Sequence, residues 1–198
     1  LWVKINGQSF DVSQANWQLV ERTDVAVTYA VNIGLDEPLY RVLKTYTVSP
    51  ARGDDEKALH GGYEVQVRHR IENLSGQPAQ IQLGIAGPTT PPREIERGPD
   101  LFVFAGYNKN PDYPDAPLIE PAAHGIESLT GDSASLDLTR GEKNRPVIWA
   151  GVASTYFDAL VLPIGKVNLT TAEFIDSIRA KAINGSAGRP VGAELLFQ

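Results

Sequence analysis

Over most of this chain the apolar residues recur with a period of two. Across residues 24–32, Val25, Val27, Tyr29 and Val31 alternate with Ala26, Thr28 and Ala30, the pattern of a half-buried strand whose successive side chains point to opposite faces. Residues 62–73 alternate more strictly, with Tyr63, Val65, Val67, His69 and Ile71 on one face and Glu64, Gln66, Arg68, Arg70 and Glu72 on the other. Such a segment specifies its register, because a slip of one residue would turn the whole apolar set outward. Residues 1–12 read as a hairpin about Asn6-Gly7, the pair that best accepts the positive φ angles of a type I′ turn. Further strands are predicted at 16–22, 39–48, 101–106 and 79–86, the last with Ile81, Leu83 and Ile85 inward. A second hairpin is predicted from 125–129 and 133–138 across Thr130, Gly131 and Asp132.

The longest apolar run lies in residues 144–163. Every residue of 147–152 is apolar or Gly, as in a strand covered on both faces. Ser154 and Thr155 interrupt the run, residues 156–162 resume it with Asp158 as the one charge, and Pro163 ends it because proline has no N–H to donate to a ladder. The β-branched and aromatic residues Val147, Ile148, Val152, Tyr156, Phe157 and Val161 favour two core strands joined by a short turn over one buried helix. Beyond Pro163 the period changes. Residues 170–173 form a capping box, Phe174, Ile175, Ile178 and Ala182 recur at helical spacing, and Asn184-Gly185 supplies a stop. One short C-terminal helix is therefore predicted over about 171–183, followed by an edge strand or the end of the chain at 189–198. Three stretches read as irregular: the charged residues 50–61, the proline-rich residues 87–99, and a long surface loop from Tyr107 to Pro121 with four prolines.

Composition narrows the class. Eighteen Gly and fourteen Pro between short apolar segments favour an all-β architecture, and 198 residues suit one domain with a good core. The absence of Cys excludes disulfides, Cys-based zinc sites and thiol catalysis. A net charge of −6 mixed along the chain argues against non-specific nucleic-acid binding. No apolar run approaches the length of a membrane span. The chain has no Met, not even an initiator, so it reads as a piece of a longer polypeptide and as a monomer. The imidazoles are His60, His69 and His124, and no metalloprotease, nucleophile-elbow or phosphate-loop pattern accompanies them. No residue is therefore assigned to catalysis, to a cofactor or to a metal. The acidic run Asp54-Asp55-Glu56 reads as a solvated loop, and the sequons at Asn73, Asn168 and Asn184 as turns.

Two segments carry a resemblance. Trp149, then Tyr156-Phe157, then Pro163 is similar to the W-x6-Y-F-x5-P segment of the large periplasmic domain of the YidC family of membrane-protein insertases. Upstream, Lys44, Thr45 and Tyr46, then Tyr63, Val65, Val67, Ile71 and Asn73, then Gly76 and Pro78, resemble a hairpin and Gly-x-Pro turn of the same domain. One departure is the longer connection over 50–61. The resemblance implies a β-supersandwich of antiparallel sheets, similar to galactose mutarotases, on the periplasmic face of the bacterial inner membrane. It implies a non-enzymatic accessory role beside the Sec translocon, with Sec accessory subunits and nascent inner-membrane proteins as partners of the full-length protein. Membrane contact would come through transmembrane segments that this chain lacks. On this reading Tyr63, Val65, Val67, Asn73, Trp149, Tyr156, Phe157 and Pro163 are structural motif residues. Two other functions remain open. A mutarotase would pair His69 or His124 with Glu64, Glu72 or Glu127 across a sugar ring. A carbohydrate-binding module would use aromatics such as Tyr107 and Tyr113.

Overall fold

The computed structural model describes residues 1–34, 37–48, 65–91, 100–110, 118–129, 135–155, 157–164, 175–184 and 190–198. The fold is all-β: antiparallel sheets in a sandwich-like arrangement, with no closed barrel and no helix of seven or more residues among the described residues. The chain divides into two compact units, residues 1–83 and 84–198, and each has its own apolar core.

The first unit opens on the expected hairpin, β1 (Trp2–Ile5) and β2 (Gln8–Asp11). Asn6 and Gly7 have φ of 48° and 88°, as a type I′ turn requires. The Asn6 side chain accepts the Gln80 N–H at 2.9 Å, and the Asn6 N–H donates to the Gln80 carbonyl at 3.0 Å. A four-stranded meander follows, with strands β3 (Gln18–Arg22), β4 (Ala26–Ile33), β5 (Tyr40–Val48) and β6 (Val65–Asn73) in sequence order. β5 and β6 pair without a slip from Tyr40 opposite Asn73 to Val48 opposite Val65. The alternating pattern of each strand requires this register. It lines up Val31, Val42 and Ile71 on one face, where they pack with Val3, Ile5, Val12, Ile33 and Tyr40.

Strand β7 (Ile81–Thr89) carries the boundary between the units. Its expected inward set is corrected at one end: Leu83 and Ile85 are partly buried but Ile81 is exposed. In the second unit β8 (Phe102–Asn108), β9 (Ile119–Gly125), β11 (Val147–Ala153) and β12 (Asp158–Val161) form a sheet in the order β12-β11-β8-β9. Facing it are β10 (Ser135–Asp137), β13 (Ile178–Asn184) and β14 (Pro190–Phe197), with β14 also pairing to the end of β7. Val103, Ala105, Val147, Ala150 and Val152 from one sheet meet Ile178, Ala180, Ala193, Leu195 and Phe197 from the other.

Three expectations are corrected here. The C-terminal helix is not formed: 171–174 lie outside the described residues, and Ile178–Asn184 is strand β13, paired with β10 and β14. Ile178 and Ala182 are four residues apart, a spacing that a helix face and a strand face both satisfy. Ala180 between them is also fully buried, while Arg179 and Lys181 are exposed; that is a period of two, set by ladders on both sides rather than by propensity. Second, the hairpin expected over 125–138 is replaced by a 3-10 turn at Ile126–Ser128 and by β10, which pairs with the distant β13. Third, the loop expected from Tyr107 to Pro121 is cut at both ends. Tyr107 belongs to β8 and Pro121 to β9. β9 is an edge strand, the place in a sheet where a missing N–H is tolerated.

The strand assignment of β13 is testable. Ala180→Asp buries an unpaired carboxylate in the second core and should lower stability by about 3–5 kcal/mol in urea unfolding. Lys181→Thr, on the wet face, should stay within about 0.5 kcal/mol.

Candidate functional site

The segment singled out by its apolar run forms β11, a turn and β12. On the face of this sheet turned away from the core, Trp149 stands directly across from Gly106 and Phe104 directly across from Gly151. A Cβ at position 106 would run into the Trp149 ring, and one at 151 would meet the Ala159 carbonyl oxygen first, then Leu160 Cδ2 at 2.9 Å and Phe104 Cζ at 3.0 Å. Gly106 thus leaves room for the Trp149 ring to lie down on β8, and Gly151 admits both the backbone of β12 and the Phe104 ring. The two rings meet edge to face, with centroids 5.3 Å apart and planes at 69°, the arrangement their quadrupoles favour. The same face continues through Phe102, Pro121, Ala123, Ile119 and Leu160, all of them exposed. Asp158 is the one charged residue that these four strands place on it. A nearly uncharged aromatic surface of this kind suits stacking or apolar contact.

The motif residues divide between core, surface and turn. Val147, Ile148, Ala150 and Val152 of β11 are buried, as expected of a covered strand. The second half of the segment is corrected: Phe157 is 75% exposed and Leu160 54%, because β12 is the edge of its sheet. Phe157 serves a turn through its backbone, donating its N–H to Ser154 Oγ at 3.2 Å and accepting the Ser154 N–H at 2.7 Å. Pro163 follows the end of β12. Val65 and Val67 lie exposed at one end of β6. At the other end Asn73 clamps the exit turn. Its Nδ2 donates to the Gln77 carbonyl at 2.6 Å and its Oδ1 accepts from the Ser75 N–H at 3.0 Å, with Gly76 at φ 70°. Tyr63 and Tyr156 lie outside the described residues.

The described histidines and carboxylates considered for a mutarotase lie on β6, on β9 and in the 3-10 turn. His60 and Glu64 lie outside the described residues. His69 and Glu72 point to opposite faces of β6, and Glu72 pairs with Arg70 at 3.1 Å. His124 is on β9 beside Val103, with Glu127 in the 3-10 turn that follows. His69 faces Lys44 across β5 and β6; burial first, and then the Lys44 charge, lowers its pKa to about 4. Tyr107 is corrected from loop aromatic to core residue: it is buried, its hydroxyl donates to the Leu138 carbonyl at 3.2 Å, and burial raises its pKa. Tyr113 lies outside the described residues. Glu120 accepts ion pairs from Lys109, at 3.2 Å, and from Arg145. No group of three or more His, Asp or Glu able to hold a metal occurs among the described residues.

Periodicity missed the aromatic face because both of its glycines sit inside apolar runs. The alternation of Phe104 with Gly106, and of Trp149 with Gly151, was the available signal. Gly106→Ala should displace the Trp149 ring, lower stability by about 1–3 kcal/mol and shift tryptophan emission. Asn73→Ala should cost about 1–2 kcal/mol in the same unfolding measurement, since it removes three turn hydrogen bonds.

No family model, curated protein or solved structure matches this chain.

Proposed function

We propose that this chain is the periplasmic accessory domain of a YidC-like membrane-protein insertase, a non-catalytic module that assists insertion beside the Sec translocon. The observation that carries this reading is the Trp149 segment. Its aromatic anchor is seated over Gly106 in a central strand pair, and the rest of the motif forms a turn and an edge strand on the same sheet. The upstream part of the resemblance falls on the β5–β6 ladder and on the Asn73 turn that closes it. Among the described motif residues, Trp149 and Asn73 have structural reasons for their types: the ring lies over Gly106, and the amide holds the turn. No helix among the described residues is long and apolar enough to cross a membrane. Insertion itself would belong to transmembrane parts of the full-length protein, and this domain would present a surface to Sec subunits or position the membrane core.

The aromatic face favours a second reading, a carbohydrate-binding module. Trp149 and Phe104 are partly exposed on a nearly uncharged surface, and sugar rings stack on such surfaces.

The gene sequence around this chain separates the two. The insertase reading expects one apolar helix before it and five after, with an Arg buried in the second hydrophobic block. Flanking catalytic or secreted modules would overturn it. A glycan array is expected to show no binding. Saturable binding lost in Trp149→Ala would instead establish the carbohydrate reading.

A further inference from the structure

We propose that β6 is an acid-released strand: protonation of His69 sets an imidazolium directly across from the Lys44 ammonium, on a sheet face where the described residues of β3 to β6 place no carboxylate, and β6 then parts from β5. The inference stands on the geometry of the first unit and is independent of the function proposed above.

Register places His69 opposite Lys44. On this face of β3 to β6 the charged side chains are Lys44 and Arg22, both cations, and the other titratable groups are Tyr29, Tyr40 and Tyr46. The Lys44 ammonium sits 4.9 Å from the centre of the Tyr46 ring, so the aromatic neighbour is already engaged by one cation. The β1–β2 hairpin also packs on this face. It brings Lys4, which is exposed, and Asp11, whose carboxylate accepts the Ser13 N–H at 2.8 Å. Glu72 cannot answer a charge on His69, because it lies on the opposite face with Arg70.

His69 Nε2 is buried and has no hydrogen-bond partner among the described residues. A neutral imidazole tolerates that position, but a second ring proton would add charge where no described residue offers Nε2 an acceptor. The released strand would carry a histidine near its ordinary pKa of about 6.5, above the folded value of about 4. The open form thus binds the proton more readily, so pairing is fully stable above about pH 6.5 and weakens as pH falls toward 4. β6 is the outer strand of its sheet, so its departure breaks one ladder, and Val65 and Val67 already lie exposed at its end.

The test is amide hydrogen exchange and histidine titration by NMR on the 198-residue chain from pH 7 to pH 4. Protection factors of β6 amides should fall by roughly tenfold between pH 7 and pH 5 while those of β4 hold, a figure reduced from full linkage because His69 is partly exposed. In His69→Gln the β6 response should be flat. Titration of His69 near 6.5 with β6 still protected would overturn the proposal, as would an unchanged response in His69→Gln. If that variant does not fold, Lys44→Gln decides: it should raise the His69 midpoint and shrink the loss of protection, and an unmoved midpoint sinks the idea.

Discussion

Trp149 lies flat on β8 because position 106 has no side chain, and position 151, also without one, admits the β12 backbone together with the Phe104 ring. This reciprocal exchange of ring for hydrogen lets two aromatics occupy the outer face of a sheet whose inner face carries small and branched core residues. It also explains how β11 can be buried on both faces while its sheet stays an outer layer: the strand is covered from inside by the core and from outside by its own sheet's rings. Glycine in a strand is ordinarily a weakness. Here the large side chain directly across the ladder offsets that weakness.

The two units use the same material differently. In the first, an unbroken β4–β5–β6 register lets a narrow apolar stripe from three strands meet a hairpin, and the stripe then runs out into exposed valines and the Lys44–His69 pair. The second unit interdigitates two sheets. Alanines at 105, 150, 180, 182 and 193 allow close approach, while Tyr107, Leu195 and Phe197 fill the remaining space. Tyr107 reaches across this core with its hydroxyl on the Leu138 carbonyl, which satisfies the one polar atom that such a ring brings inside.

Local signals located several of the strands that bury one face. Alternation located β4, β5 and β6, the Asn6-Gly7 pair located the first hairpin, and the run at 147–152 located β11. Reading failed where local preference and long-range pairing disagree. Residues 178–183 carry alanines and a lysine that favour a helix, yet β10 and β14 hold them extended. Tyr107 and Pro121 looked like loop because proline punctuates loops, yet one is core and the other is edge strand. The aromatic face was legible only in part. Trp149 was named, but its partner glycine lies 43 positions away, and only the β8–β11 register brings them together.

Taken alone, then, the sequence determined the all-β class, most strands of the first unit, the tight turn at Asn6-Gly7 and the lack of any cysteine chemistry. Each of these follows from residues adjacent or alternating along the chain. The tertiary structure decided that β13 is a strand, that Phe157 faces solvent, that Trp149 rests on Gly106 and that His69 faces Lys44. All four depend on which strand lies alongside, and that choice rests on burial summed over distant segments rather than on any local preference.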